Sequence, residues 1–180
     1  VAPSGVDETF FSVDGAGRQY DLAAYAGGLG PWKGVDLLLQ AAAQAPDVRL
    51  EVLGGRAGSA DWQRLSALAD ELDLGGRLTM RPRASQDVVR ELLDRAGIAV
   101  WPGTGRQRIA AEFTSPLKLF EYLAAGCAVV APRVPAAQSV LVHEETALMF
   151  EPDNAGSLAE ALSQLVENPE QAQALGRAGR

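Results

Sequence analysis

The two lysines of this chain stand at matching places, each where the pattern predicts the start of a helix. Lys33 follows a glycine-rich turn, and Lys118 follows a serine and a proline. A cation at a helix N-terminus opposes the helix dipole, which stabilises an anion there by about 0.3–1 kcal/mol. Two such placements indicate a bound anion, although two unrelated surface lysines would give the same pattern.

The sharper of the two signals is the predicted helix start around Lys118. Ser115 is a favourable N-cap, and Pro116 at the first helical position lacks only an amide that would be unpaired anyway. The free amides of Leu117 and Lys118 then form an anion site. Glu121 lies one turn later on the same face, where a carboxylate suits the hydroxyls of a sugar. A simple Lys118–Glu121 surface pair is the alternative interpretation.

The turn before Lys33 contains Gly27, Gly28 and Gly30, which allow the backbone to approach a ligand closely. It has neither the Gly-x-Gly-x-x-Gly spacing of dinucleotide-binding turns nor the Lys-Ser or Lys-Thr that ends the phosphate loop of NTPases. The sequence therefore disfavours a plain dinucleotide oxidoreductase and a plain NTPase.

The elements that must position these residues alternate between short apolar runs and amphipathic stretches. The runs predict strands at 22–27, 48–54, 78–81, 98–101, 128–131 and 147–150. Helical spacing appears at 35–45, 62–72, 87–96, 117–125 and 157–166, and residues 171–180 also have a helical pattern. Repeated strand, helix, strand units predict an α/β fold with a Rossmann-like parallel sheet and helices on both faces. We expect one domain over residues 1–180, with Asp153 or Asn154 as the cap of its penultimate helix.

Composition bounds the class of protein and its partners. The hydrophobic share is 47 %, the charged share 22 % and the formal net charge −7, so a nucleic-acid partner is disfavoured. Any phosphate-bearing ligand must then be held by a local positive site. The single cysteine, Cys127, lies in an apolar run and is expected to be a buried, inert thiol. No run of about 18 apolar residues occurs, and a cytoplasmic location is expected.

Further basic residues stand at the ends of predicted strands. A long segment at 102–114 carries Arg106 and Arg108 after a strand, where ligands bind in open parallel sheets; a plain surface loop is the alternative. Arg81 and Arg83 end another strand and are candidates for a nucleobase pocket or for ordinary exposed positions. His143, the single histidine, is expected to have a structural role.

With these motifs in order, the chain resembles the C-terminal, donor-binding domain of GT-B glycosyltransferases of the retaining family-4 type. The resemblance covers nearly the whole chain and rests on the stretches 1–7, 25–38, 115–126 and 143–150. It implies that Lys33 contacts the donor diphosphate and that Glu121 binds the donor ribose. It also implies that the amides of Leu117 and Lys118 touch phosphate or sugar.

Three departures from the family pattern bear on the site. Gly28 stands where the family has a phosphate-binding arginine, so Lys118, Arg106 and Arg108 are candidate substitutes for that charge. Position 113 is phenylalanine where the family has a glutamate, which leaves the neighbouring Glu112 and Ser115 as candidate contacts to the sugar. The motif glycine is replaced by Pro116, which cannot donate an amide.

The resemblance implies the donor-binding half of a retaining glycosyltransferase that transfers a sugar from a nucleoside-diphosphate sugar to an unknown acceptor. The acceptor domain would precede this chain, and no catalytic residue is assigned within it. No metal ion or other cofactor is expected. A non-catalytic nucleotide-sugar-binding module and a GT-B nucleotide-sugar epimerase are the alternatives. For a full-length protein that contains this domain, peripheral attachment to a membrane is an alternative to a purely cytoplasmic location.

Overall fold

A six-stranded parallel sheet organises the computed structural model, which describes residues 5–103 and 117–180. The strands are β1 (Gln19–Ala26), β2 (Arg49–Leu53), β3 (Leu78–Arg81), β4 (Ala96–Val100), β5 (Ala128–Pro132) and β6 (Ala147–Phe150). The helices are α1 (Val35–Gln44), α2 (Ala60–Glu71), α3 (Gln86–Arg95), α4 (Leu117–Ala124), α5 (Pro135–Gln138), α6 (Ala155–Glu167) and α7 (Pro169–Gly179). Short 3-10 helices span Glu8–Ser12 and Pro31–Lys33.

The strand order is β3-β2-β1-β4-β5-β6, and each adjacent pair is parallel. The order reverses between β1 and β4, so the carboxyl ends of these two strands border the crevice in which such sheets bind ligands. This topology confirms the predicted Rossmann-like α/β fold.

Helices cover both faces of the sheet, so the central strands are apolar on both sides. β4 and β5 are buried along their whole length. Alternate residues of each strand enter two cores: Tyr25 and Val52 face the one formed with α1, α2 and α6, whereas Ala24 and Leu53 face the one formed with α3 and α4. Strands buried on both faces have nearly continuous apolar runs, which is why the sequence pattern located them.

The predicted and observed boundaries differ most at β1, which begins three residues before the predicted strand. Its first residues are polar and partly exposed, and Asp21 accepts a hydrogen bond from the Arg49 side chain of β2 at 2.6 Å. A cross-strand ion pair thus extends the strand beyond its apolar run. β4 begins at Ala96, which was predicted as the end of a helix, because α3 passes into the strand without a loop.

The predicted cap of α6 is observed, although α2 and α6 each begin two residues before their predicted starts. Asn154 accepts a hydrogen bond from the Ser157 amide at 3.0 Å, which confirms it as the N-cap of α6. Gly126 has a φ of +73° just after α4, the left-handed conformation that commonly ends helices. No helix within the described part of the chain is both long enough and apolar enough to span a bilayer.

Candidate functional site

A cleft of about 680 Å³ lies at the carboxyl ends of β1 and β2. The end of β1, the loop after β2 and the start of α3 form its walls. Its lining residues are Ala26, Gly27, Gly28, Leu53, Gly54, Gly55, Arg56, Arg83, Ala84, Ser85, Gln86, Val89 and Lys118. Since α4 contributes Lys118 from the other half of the sheet, the cleft extends to the reversal point of the strand order.

The turn after β1 is fixed by close backbone packing. A Cβ added to Gly54 would collide with the carbonyl oxygen of Gly27, so the two loops approach each other as only glycine permits. The Tyr25 hydroxyl donates a hydrogen bond to the Gly28 carbonyl at 2.6 Å, and burial raises the pKa of Tyr25. The glycine turn is therefore preformed before any ligand binds.

Tyr122 of α4 holds the last residue of β1 from the opposite side. Its hydroxyl accepts a hydrogen bond from the Ala26 amide at 2.9 Å and lies 3.3 Å from the Ala26 carbonyl oxygen as a donor. Burial also raises the pKa of Tyr122. This tyrosine links α4, which carries Lys118, to the strand that precedes Gly28.

Lys33 lies at the predicted helix start, two residues before the first residue of α1. It ends the 3-10 helix that precedes α1, and Gly34, at a φ of +73°, is the N-cap of α1. A Cβ on Gly34 would collide with the carbonyl oxygen of Pro102, which fixes this turn against the end of the β4 segment. The predicted match between the two lysines is therefore only approximate.

The two lysines nevertheless line one smaller cavity of about 130 Å³. The other lining residues are Tyr25, Ala26, Gly27, Gly28, Trp32, Trp101 and Gly103. Because Gly28 and Lys118 line this cavity and the larger cleft, the two spaces adjoin. The structure thus brings together three of the predicted phosphate-site residues: Gly28, Lys33 and Lys118.

Lys118 and Glu121 form the ion pair that the sequence left open as an alternative. The Lys118 ammonium donates to Glu121 Oε2 at 2.6 Å, and the Glu121 side chain is only 13 % exposed. Glu121 is therefore a nearly buried partner of Lys118 and is not among the residues that line either cavity. Leu117 begins the described part of α4 with 45 % of its surface exposed and is not among the residues that line either cavity.

The cleft concentrates positive charge on a chain with a formal net charge of −7. Within residues 5–103 and 117–180, the charged side chains that line the two cavities are all basic, and three of them form no salt bridge: Lys33, Arg56 and Arg83. Such a site attracts an anion and excludes other cations. This is the local positive site that a phosphate ligand requires.

Arg56 was missed by the sequence reasoning. It follows Gly54 and Gly55 directly after β2, so the same signal as at β1, a glycine turn with a basic residue at a strand end, was present.

Arg81 lies apart from the cleft, unlike Arg83. Its guanidinium donates to Glu51 at 3.1 Å, and Arg95 holds the other oxygen of that carboxylate at 3.0 Å. Glu51 is 6 % exposed, and a buried carboxylate without such partners would be costly. Two residues later, after β3 has ended, the chain turns and Arg83 enters the cleft wall.

Four of the predicted site residues lie outside the described residues: Arg106, Arg108, Glu112 and Ser115. The same holds for the departures at Phe113 and Pro116. Their assignments stay predictions from the sequence.

The predictions for Cys127 and His143 are consistent with the structure. Burial raises the pKa of the Cys127 thiol to about 11, and the thiol lies 3.4 Å from the Leu93 carbonyl oxygen. His143 Nδ1 accepts a hydrogen bond from the Met149 amide at 3.0 Å, so the imidazole is a backbone partner of β6. Among the described side chains, no group of three or more His, Cys, Asp or Glu has a geometry suited to a metal ion.

Comparison with known proteins identifies the family. The sequence model of the family described as "glycosyl transferases group 1" matches residues 7–180. The chain belongs to the glycosyl transferases group 1 family. It is 31 % identical over 163 residues to a D-inositol 3-phosphate glycosyltransferase of Mycobacterium leprae, covering 88 % of this chain and 36 % of that protein.

Solved structures share the fold of this group 1 chain. Sucrose-phosphate synthase of Thermosynechococcus elongatus matches with a TM-score of 0.81 and 25 % identity, over 98 % of this chain and 45 % of that one. Anabaena HepE, crystallised in complex with UDP and glucose, matches with a TM-score of 0.80 and 18 % identity, over 97 % of this chain and 49 % of that one. The chain thus spans about a third to a half of the length of these proteins.

Proposed function

We propose that this group 1 chain is the donor-binding half of a retaining glycosyltransferase and binds a nucleoside-diphosphate sugar. One observation carries the proposal: basic side chains, three of them without a salt bridge in the described part of the chain, gather in a cleft at the strand-order reversal of an otherwise acidic chain. A diphosphate supplies the negative charge that this cleft lacks, and a nucleoside has a size suited to the larger space. The complexes of HepE with UDP support this assignment at the level of the fold.

In this proposal, each part of the donor has a place in the cleft. The diphosphate lies between Lys33 and Lys118, where the two cavities adjoin. The base extends into the larger cleft towards Arg56 and Arg83. The ribose lies beside Lys118, where its hydroxyls can reach Glu121, the partner of that lysine. The Lys118–Glu121 pair holds the carboxylate ready as a hydrogen-bond acceptor for the ribose.

Charge stabilisation is the catalytic contribution that this half would make. As the bond to the sugar breaks, negative charge develops on the leaving diphosphate, and preorganised cations stabilise such charge strongly. Lys33, free of a carboxylate partner within the described residues, is placed for this role. The acceptor site and any catalytic base are expected in a preceding domain, so this chain alone should bind donor without turning it over.

Titration calorimetry of the chain with UDP, GDP and ADP tests the proposal. The Lys33→Ala, Lys118→Ala double variant should lose about tenfold or more in affinity, because a hydrogen bond to a charged group is worth about 1.5–3 kcal/mol. Arg177→Ala removes one positive charge from the exposed surface of α7 and serves as the control. Equal affinities of the double variant and the wild type would refute the phosphate assignment, as would the absence of any nucleotide binding.

The same titrations test the expectation that no metal ion takes part in donor binding. Affinities measured with EDTA and with added Mg²⁺ should agree. A donor that binds only with Mg²⁺ would contradict that expectation.

A non-catalytic nucleotide-sugar-binding module is the second candidate. Gly28 favours it, because this position carries no side chain where the resembled family has a phosphate-binding arginine. Donor binding by the longer protein without transfer or hydrolysis would identify a module, and turnover would identify a transferase. Interconversion of two sugar epimers would instead identify an epimerase.

A further inference from the structure

The smaller cavity has a chemistry that a diphosphate alone does not explain. Besides the two lysines, three aromatic residues line it: Trp32, Trp101 and the nearly buried Tyr25. Two of the three tryptophans of the chain therefore meet at one cavity of about 130 Å³. The Trp32 side chain is 50 % exposed although it is large and apolar.

Both indoles lie directly against a glycine. A Cβ added to Gly30 would come within 2.7 Å of the Trp32 ring, and one added to Gly103 within 3.0 Å of the Trp101 ring. The rings thus occupy space that any other residue at these two positions would fill. A tryptophan side chain has only two rotatable bonds, so it loses little conformational entropy when a ligand binds.

The combination of charges and rings narrows the class of ligand. Ammonium groups favour an anion, whereas indole rings favour an apolar surface whose C–H groups meet the negative face of the ring. A ligand that joins a phosphate to a ring with apolar faces and polar edges satisfies both. The hexose of a nucleoside-diphosphate sugar is such a ring, and it is bonded directly to a phosphate.

We infer that Trp32 and Trp101 bind the hexose of the donor as a stacking platform beside the diphosphate lysines. This inference rests on the proposed function and adds the residues that recognise the sugar. The hexose lies in the smaller cavity, whereas the nucleoside lies in the larger cleft. The two tryptophans therefore affect the affinity of a nucleoside-diphosphate hexose and leave that of the nucleoside diphosphate itself unchanged.

Paired titrations of the chain with UDP and UDP-glucose, and with GDP and GDP-mannose, test the inference. Trp32→Ala and Trp101→Ala should each weaken binding of the hexose conjugates about fivefold, and leave UDP and GDP within about twofold. Trp32→Phe should retain most of the affinity because it keeps an aromatic face. Phe11→Ala is the matched control, since Phe11 is 46 % exposed and lines neither cavity.

A second variant moves the ring without removing it. Gly30 has a φ of −58°, so Gly30→Ala fits the backbone while its methyl group displaces the Trp32 indole. It should reproduce the selective loss for the hexose conjugates. Circular dichroism of each variant shows whether the fold is retained.

Three results would decide against the inference. Equal losses of affinity for the nucleoside diphosphate and its hexose conjugate would show that the tryptophans contact the nucleotide. An unchanged affinity for both ligands would show that the tryptophans do not contact the donor. Reduced activity of the longer protein with an unchanged affinity ratio would assign Trp32 to contact between domains. Failure of every nucleotide to bind would instead refute the proposed function on which the inference rests.

Discussion

Replacing Tyr122 with phenylalanine should destabilise the chain through a single backbone position. Along β1, the pairing with β4 ends at Ala24 and Ala99, so Ala26 has no strand partner on that side. The Tyr122 hydroxyl takes that place, accepting from the Ala26 amide at 2.9 Å. Tyr122→Phe keeps the ring in its buried site and removes only this partner.

The expected loss follows from the burial of both groups. Ala26 is 2 % exposed and Tyr122 is 0 % exposed, so no water replaces the lost hydroxyl without rearrangement. A buried amide left without a partner costs about 1–3 kcal/mol. For a chain of this length, a loss of about 2 kcal/mol lowers Tm by about 4–8 °C.

Urea unfolding followed by circular dichroism measures the change, with Tyr20→Phe as the matched control. Tyr20 is half-buried in the same strand, and its hydroxyl forms no hydrogen bond with any described residue. Its replacement should change the free energy of unfolding by less than about 0.5 kcal/mol. If Tyr122→Phe changed stability no more than Tyr20→Phe, the assignment of this hydroxyl as the partner of Ala26 would be refuted.

Three further predictions concern the thiol and the cleft. Because burial raises the pKa of Cys127 to about 11, a thiol reagent should not react with the folded chain at pH 8. The free energy of unfolding should also fall as the pH rises above about 9, because the exposed thiol of the unfolded chain ionises first. At pH 10 the wild type should have lost about 1 kcal/mol more of this free energy than Cys127→Ala. Glu121→Gln should weaken UDP more than 2′-deoxy-UDP; equal losses would leave Glu121 only as the partner of Lys118. Gly28→Arg should raise UDP affinity in calorimetry, since a Cβ there meets nothing nearer than the Lys33 side chain at 3.8 Å, and an unchanged affinity would contradict the phosphate site at this turn.

The fold was predictable because the strands are buried on both faces. β5 is apolar along its whole length, so a simple run of residues located it. The prediction was less accurate where tertiary contacts override local pattern, as at Asp21, whose ion pair with Arg49 lengthens β1. The junction of α3 and β4 was misplaced by a similar effect, since Gly97 allows β4 to lie directly against Tyr20 of β1.

The site was predictable at the level of turns and less so at the level of single side chains. Glycines followed by a basic residue at a strand end identified Gly28 and Lys33, and the same pattern marks Arg56. Both Arg81 and Arg83 were predicted at the end of β3, and that position did not show that only Arg83 lines the cleft. The difference depends on Glu51, whose carboxylate lies on the neighbouring strand and binds Arg81.

The ion pair of Lys118 changes how the charge in the cleft is divided. The sequence pattern gave Lys33 and Lys118 equivalent positions. In the structure, the Glu121 carboxylate lies 2.6 Å from the Lys118 ammonium and compensates its charge. The pair also offsets the unfavourable interaction of that ammonium with the dipole of α4. Lys33 stands directly before Gly34, the N-cap of α1, and it has no salt bridge among the described residues. The full charge of Lys33 is therefore available to an anion, whereas Lys118 offers only what Glu121 leaves. We expect the loss of Lys33 to weaken diphosphate binding more than the loss of Lys118, with Arg56 and Arg83 supplying the remaining positive field.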